Sequence, residues 1–325
     1  MPLVSVVIPA FNAEATLAGT VASAQRQSLW DIEILIVDDA STDDTLALAR
    51  RLAAADPRVK VIAAGENRGP AGARNLGLAA ATGDWIALLD ADDAFEPGRL
   101  AQLLHLARDC GADLLADNLL LEDEGGRTEP MLPPGEAAGC APMSAADFLR
   151  GNLPDPARPR RSYGFLKPLI ARGFLVSHGL RYDENLRFAE DFAFYLACFS
   201  AGARFWLSPL PLYRYRLRAD SLTACHSTED LRRLQSVDHR LLRDPGQAGG
   251  RDFMKALKRH QQSIDQRLQW RVVIDEVKRG AWLRALRAGC EGWHVFTYVS
   301  AQLAVEVWRR LGPGRAARRA RAVET

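Results

Sequence analysis

Ile32-Glu33-Ile34-Leu35-Ile36-Val37-Asp38-Asp39 decides the fold. Its apolar run does not alternate with polar residues, which is the pattern of a strand buried on both faces. The run stops on two carboxylates. Upstream, Leu3–Ile8 is a similar β-branched run, and Ala13–Arg26 between them carries Leu17, Val21 and Ala24 on one helical side. Downstream, Asp43–Ala55 reads as a helix, Val59–Ala63 as a strand, and Pro70–Ala81 as a helix with proline at its first position. Trp85–Leu89 is a fourth strand, Pro97–Cys110 a helix and Asp113–Leu121 a further strand. Repeated β-α-β units with short links predict an α/β fold: a Rossmann-like, mostly parallel sheet flanked by helices.

In such sheets ligands bind beyond the carboxyl ends of the strands. Asp39 and the cluster Asp90-Ala91-Asp92-Asp93 therefore point at one site. Carboxylates at i and i+2 past a buried strand can face one cavity and offer hard oxygens to Mn²⁺ or Mg²⁺. Such ions share their shell with substrate phosphates. A solvated Asp-rich turn is the competing reading of this short motif.

Composition sets the outer limits. The chain has 325 residues, 48% apolar and 25% charged, and a net charge of +2. This is a soluble globular composition with no global sign of nucleic-acid binding. Pro9 cuts the first apolar run short of a signal peptide's core, and no stretch reaches the ~18 apolar residues of a spanning helix. A cytoplasmic location is expected. The five cysteines are scattered without a C-x-x-C pair, so free thiols are expected. The six histidines lack ligand spacing and read as surface or internally satisfied groups.

The neutral total hides a split. Residues 1–225 carry 22 basic and 29 acidic side chains, whereas residues 226–325 carry 20 basic and 11 acidic. From Glu122 to Pro159 the chain is loop-rich, with a short helix near Ser144–Arg150. Short strands are expected near Gly164–Leu166 and Leu212–Arg216, flanking a helix at Asp191–Ala201. From Ser227 onward the pattern is helical and basic.

Four stretches occur in order: Val4–Glu14, Ile34–Asp43, Asn67–Asn75 and Asp90–Asp93. Together they resemble the family 2 glycosyltransferases, which have the GT-A fold. The resemblance covers about residues 3–120 and extends more loosely to about 225. With Asp113–Leu119 added, the chain looks like exopolysaccharide enzymes of the succinoglycan type. The resemblance implies an inverting, metal-dependent transfer of a sugar from a UDP-sugar, such as UDP-glucose. The acceptor would be a saccharide, including one linked to polyprenyl diphosphate. It divides the chain into a nucleotide-sugar half (1–120), an acceptor half (121–225) and a basic helical extension (226–325).

It also implies roles. Pro9 and Phe11 would frame a uracil, and Asp39 would accept its N3–H bond. The alternative for Asp39 is a cap beside a helix start. Glu14 would be a nucleotide-site residue or a first-turn helix charge. Arg74 would reach the diphosphate from a helix whose N-terminus favours negative charge, unless it is a solvated surface arginine. Asp90 would hold ribose or metal-bound water, and Asp92 the metal. Phe188-Ala189-Glu190-Asp191 resembles the family's Glu-Asp motif, making Asp191 the base for the acceptor hydroxyl and Glu190 its orienting partner. A plain acidic helix start is the other reading. Ala189 departs from the family, where glycine or a polar residue is frequent. Arg216, with Ser221-Leu222-Thr223, resembles a segment that contacts acceptor or donor phosphates, or is a surface strand arginine.

Two other functions compete. A sugar nucleotidyltransferase would carry a Gly-rich loop where Pro9-Ala10-Phe11-Asn12 stands. A non-catalytic nucleotide-binding scaffold would bind UDP without turnover. In the extension, residues 291–311 form an aromatic-rich amphipathic helix with a polar stripe at Gln302, Glu306 and Arg309, followed by an Arg-rich end. It either packs on the catalytic part or lies on the anionic inner face of the cytoplasmic membrane.

Overall fold

A computed structural model of the protein describes residues 2–132, 140–155, 157, 161–217 and 227–311, with side chains described as far as residue 305. Ser221–Thr223 and the arginines of the C-terminal end, Arg309 and Arg310 side chains included, lie outside this description.

The first half follows the sequence closely. In chain order it contains β1 (Val4–Ala10), α1 (Leu17–Gln25), β2 (Ile32–Asp38), α2 (Thr45–Ala55), β3 (Val59–Ala63), α3 (Gly69–Ala80), β4 (Trp85–Leu88), β5 (Ala94–Phe95), α4 (Arg99–Cys110) and β6 (Leu114–Glu122). There follow β7 (Thr128–Pro130), β8 (Ala141–Pro142), α5 (Ala145–Gly151), β9 (Leu169–Ala171), α6 (Arg172–His178), α7 (Glu190–Ser200) and β10 (Phe205–Arg216). The C-terminal part holds α8 (Thr228–Arg243), α9 (Arg251–Lys278), α10 (Trp282–Gly289) and α11 (Trp293–Leu311).

The sheet runs β3-β2-β1-β4-β9-β6-β10-β5. β2/β3, β1/β2, β1/β4 and β6/β10 are parallel pairs. The chain moves outward from β1 to β3, then returns past β1 to β4. With right-handed crossovers, α3 therefore lies on the opposite face from α1 and α2. The direction reverses between β1 and β4, where a crevice opens beyond the strand ends.

The second half departs from expectation in three places. β9 was not anticipated; it enters between β4 and β6 antiparallel to both, so the sheet is mixed. No strand forms at Gly164–Leu166, because Tyr163–Phe165 is a single 3₁₀ turn. The Asn152 carboxamide oxygen accepts from the Gly164 N–H at 2.7 Å, removing a donor that a strand would need. β10 extends well ahead of Leu212. Its register shifts between Ser208 and Tyr213, around Pro209 and Pro211, which cannot donate to a ladder.

The core does not stop at residue 225. Leu234, Val237 and Leu241 of α8, with Phe253, Leu257 and Ile264 of α9, belong to the same buried cluster as the sheet. Phe148 of α5 stacks on Phe192 of α7 at 5.6 Å, and Phe192 stacks on His260 of α9 at 4.6 Å. His260 is bound to buried Asp238 at 2.8 Å, a satisfied internal histidine as expected. α11 packs Val295 and Val299 against Val273 and Ala285.

Candidate active site

The site begins where parallel register brings three strand ends to one edge. Pro9 lies opposite Val37 and Ala10 opposite Asp38, while Val7 lies opposite Leu88, two residues before Asp90. Phe11, 49% exposed, projects beyond β1 with an open ring. The loop that follows is stitched to the turn after β2. The Asn12 carboxamide accepts from the Thr42 N–H at 2.9 Å, and Glu14 accepts from the Asp44 N–H at 3.0 Å. Glu14 thus acts across the loop at the start of α2, not in its own helix.

Asp39 is buried, and its carboxylate accepts from the Arg68 and Gly69 N–H groups at 2.9 and 2.8 Å. It is a cap, as the alternative reading held, but of α3, a helix thirty residues on. Gly69 takes φ +73 there, a conformation that costs glycine little.

Arg74 is 3% exposed, which excludes a solvated surface arginine. Its Nη1 donates to Glu190 Oε1 at 2.6 Å and its Nη2 to Asp90 Oδ1 at 2.8 Å. Asp191 Oδ2 lies 3.6 Å away. Lys167, which sequence reading missed, lies just before β9. Its Nζ donates to Asp191 Oδ2 at 2.6 Å and lies 2.8 Å from Asp90 Oδ2. The Tyr182 hydroxyl donates to Asp191 Oδ1 at 3.0 Å. The end of β4, the first turn of α7, α3 and the approach to β9 thus meet in one buried ionic cluster.

The cluster sets its own protonation. Burial alone would raise the Asp90 carboxyl, yet Lys167 and Arg74 hold it well below the usual carboxylate range. Burial alone would lower Lys167 and Arg74; the carboxylates, led by Asp191, instead raise both above their ordinary values. Burial, with Asp191 beside it, pushes the Tyr182 phenol well above normal, so Tyr182 stays a neutral donor. Both Asp191 oxygens are engaged in this arrangement. Glu190 has one oxygen on Arg74.

The Asp90–Asp93 turn is held from three directions. The Thr20 hydroxyl lies 2.9 and 2.8 Å from the Ala91 and Asp93 carbonyls. The Tyr213 hydroxyl donates to Asp93 Oδ2 at 2.8 Å and accepts from the Asp90 N–H. The Arg216 N–H donates to Asp93 Oδ1, and the Arg216 guanidinium donates to the Asp92 carbonyl and to Glu122. Arg216 is therefore a brace of this turn. Burial, with Asp90 and Asp92 nearby, raises the Asp93 carboxyl well above its ordinary value.

This bears on a metal. Asp90 was expected at ribose or metal-bound water, but both of its oxygens face buried cations. Asp92 is half-buried at the turn and keeps hard-oxygen chemistry. Among the described residues, no three His, Cys, Asp or Glu side chains could hold an ion together. One carboxylate plus substrate phosphates is a common Mg²⁺ arrangement, and Asp92 fits that part.

A cavity of about 560 Å³ opens on the cluster. Arg74, Asp90, Lys167, Glu190 and Asp191 line it, together with Leu234, His260, Ile264, Arg267 and Tyr298 of the C-terminal helices. Lys167, Tyr182, Tyr213 and these C-terminal lining residues escaped sequence reading. Each comes from a segment with no motif of its own.

Comparison with known proteins agrees with this geometry. The model of glycosyl transferase family 2 matches residues 5–152, which hold the strand-end motifs. The succinoglycan biosynthesis protein ExoU of Rhizobium meliloti (strain 1021) is 38% identical over 84% of this chain and 78% of its own length. ExoO of the same organism is 31% identical over 95% and 87%. The crystal structure of S. aureus TarS 1–349 in complex with UDP superposes with a TM-score of 0.64 at 18% identity, covering 95% of this chain and 92% of that one. The strand-end motifs, the mixed sheet with its reversal at β1/β4, and relatives alike along most of their length have one account: the chain is a glycosyltransferase of family 2 with the GT-A fold.

Proposed function

We propose that the protein transfers a sugar from a UDP-sugar to a hydroxyl of a saccharide acceptor, with inversion at the anomeric carbon, in the building of an exopolysaccharide or related surface glycan. The observation that carries this is the Arg74–Lys167 cluster. It joins the strand end that carries Asp90 and Asp92 to the Glu190-Asp191 helix start at the mouth of one cavity. A donor held beyond β1 and β4 would present its anomeric carbon to an acceptor held against α7.

In this reading residues 1–120 handle the nucleotide-sugar and residues 121–225 the acceptor. Pro9 and Phe11 frame the uracil; Asp39 fixes the loop before α3 and lies beside the base. Asp92 holds Mn²⁺ or Mg²⁺, which supplies charge neutralisation for the departing UDP. Asp191, oriented by Tyr182 and Lys167, takes the acceptor proton as the acceptor oxygen attacks and UDP leaves. Glu190, held by Arg74, orients the acceptor hydroxyl. Alignment of the two substrates supplies further acceleration.

The test is UDP release from a panel of UDP-sugars, UDP-glucose first, with Mn²⁺ or Mg²⁺ and a native lipid fraction as acceptor source. Asp92→Ala and Asp191→Asn should each lower turnover by about 10²–10⁴-fold, the range of a lost acid–base or charge-stabilising group. Full activity of Asp191→Asn, with loss in Glu190→Gln, would move the base to Glu190. UDP binding without turnover on any donor would favour a scaffold.

The C-terminal helices support a peripheral seat on an anionic membrane, where a lipid-linked acceptor would lie. α10 turns Ala285 and Gly289 inward and leaves Trp282, Leu283 and Leu286 outside, at 64, 84 and 66% exposure. Trp293 and Phe296 of α11 are exposed as well, as a stacked pair at 5.8 Å. Arg284 lies beside it, largely exposed. Among the described residues, no helix is long and apolar enough to cross a membrane. Flotation with phosphatidylglycerol vesicles should carry the wild type. A Trp282→Gln/Leu283→Gln/Leu286→Gln variant should stay in solution, and equal flotation of the two would end this reading.

A further inference from the structure

We propose that Arg267, on the C-terminal wall of the cavity, binds an anionic group carried by the acceptor. The proposal rests on reading the cavity as the acceptor site. Four of the cations lining the cavity are buried or half-buried: Arg74 and Lys167 are buried, Arg161 and Arg267 half-buried. The first two are matched by Asp90, Glu190 and Asp191 at 2.6–2.8 Å. Arg267 differs. Among the described residues no carboxylate lies within ion-pair reach of it, and Tyr298, which lines the cavity with it, offers only a phenol. Burial therefore pulls its pKa below the ordinary arginine value, the reverse of Arg74.

Its surroundings offer no substitute. Leu234 and Ile264 are apolar, and His260 is committed to Asp238. Asp155, the remaining acidic residue of the lining, accepts from the Ala157 N–H. A half-buried guanidinium without a counter-charge bears a desolvation cost that an incoming oxyanion offsets. Its planar donors match phosphate or carboxylate by two parallel bonds. A neutral saccharide would leave that cost in place. The location adds a constraint: Arg267 lines the same cavity as Glu190 and Asp191, where this reading places the reacting hydroxyl. This cavity of about 560 Å³ holds a sugar-sized body. The anion is the phosphate that joins a saccharide to its carrier or the carboxylate of an acidic sugar.

Titration calorimetry on the full chain separates these sources. UDP is kept saturating, so that the donor diphosphate site is filled. The probes are geranyl diphosphate, methyl glucuronide and the neutral methyl glucoside. One anion should bind, and Arg267→Gln should weaken it at least tenfold, with Arg267→Lys intermediate. Whichever anion responds names the source. Binding of neither anion, or equal affinity in wild type and Arg267→Gln, overturns the proposal. Should the glutamine variant fail to fold, Arg267→Met and Arg267→Lys make the same comparison. UDP affinity is measured first in every variant. If the wild type fails to bind UDP, the glycosyltransferase mechanism falls, and the anion titration without UDP still tests Arg267.

Discussion

The two sides of the site satisfy their carboxylates by different means. On the donor side, Asp39 and Glu14 accept from backbone N–H groups. On the acceptor side, Glu190 and Asp191, joined by Asp90 from the donor-side end of β4, depend on two buried cations, Arg74 and Lys167, with Tyr182 as the one neutral partner. Backbone donors are present in any chain that closes the same loop. A buried ion cluster stands only while every member is in place, because each missing charge leaves its partners desolvated and unpaired. The donor side should therefore tolerate single changes, and the acceptor side should not.

Lys167→Met is the strongest way to break that contrast. It removes the charge between Asp90 and Asp191 while keeping the length of the side chain. Breaking a buried pair from one side costs about 3–5 kcal/mol. Urea unfolding should show a loss of this size with turnover abolished. UDP affinity, set mainly on the other side, should change only a few-fold. A stability loss below about 1 kcal/mol would mean that the cluster is already hydrated, and the contrast would fail.

Acid titration next probes a carboxylate at the other end of β2, away from the site, held mostly by hydroxyl and backbone donors. Glu33 on β2 accepts from the Ser5 hydroxyl at 2.6 Å and from the Thr82 N–H and hydroxyl at 2.7 Å. Although burial opposes ionisation, these bonds and Lys60 lower its pKa from 4.5 to about 2. A pKa depressed by folding means the unfolded state takes up protons first as pH falls. Its stabilisation is thus complete above about pH 4.5 and lost on approach to pH 2. Glu33→Gln should flatten the acid limb between those values. Lys167 works in the opposite sense. Its raised pKa gives a contribution that is full below the ordinary lysine value and fades as pH rises through the raised one. An acid limb unchanged in Glu33→Gln would remove Glu33 as its source.

The same contrast explains what could be read from the sequence. Val4–Glu14, Ile34–Asp43 and Trp85–Asp93 each carry a strand and its ligand-facing turn in one contiguous word, so periodicity and a carboxylate were enough. Glu190-Asp191 was legible as an acidic helix start. Lys167 was not: Leu166-Lys167-Pro168 shows no period, and the residue matters because β9 inserts antiparallel between β4 and β6. Asp117 was visible only as part of a motif. The structure gives it a buried bidentate pair with Arg99 at 2.9 and 2.6 Å, and Arg99 also holds the Lys167 carbonyl. Arg267 lies in a segment that composition assigned to a separate basic extension. Its role is set by tertiary packing of α9 on α5 and α7, which no local pattern encodes.

The backbone offers the smallest and finest test. Among the described residues, three non-glycine residues have positive φ, and all border the site: Asn12 at 49° and Ala40 at 57° on the donor side, Ala189 at 57° before Glu190. Asparagine tolerates this region, whereas alanine bears about 1–2 kcal/mol of strain there. Glycine would relieve that strain but add about 0.4–1 kcal/mol of unfolded-state freedom. Ala189→Gly should therefore stabilise the protein by about 0.5 kcal/mol, read as a higher urea midpoint at unchanged slope. Ala40→Gly should gain as much, and Asn12→Gly close to nothing. The functional outcomes should diverge. Relaxing Ala189 frees the start of α7, where Glu190 and Asp191 must meet Arg74 and Lys167, so turnover should fall although stability rises. Relaxing Ala40 leaves the Asn12–Thr42 bond across the loops in place, and turnover should hold. Equal losses from Ala40→Gly and Ala189→Gly would show that both sides depend on backbone strain to the same degree, which the ionic cluster on one side alone does not predict.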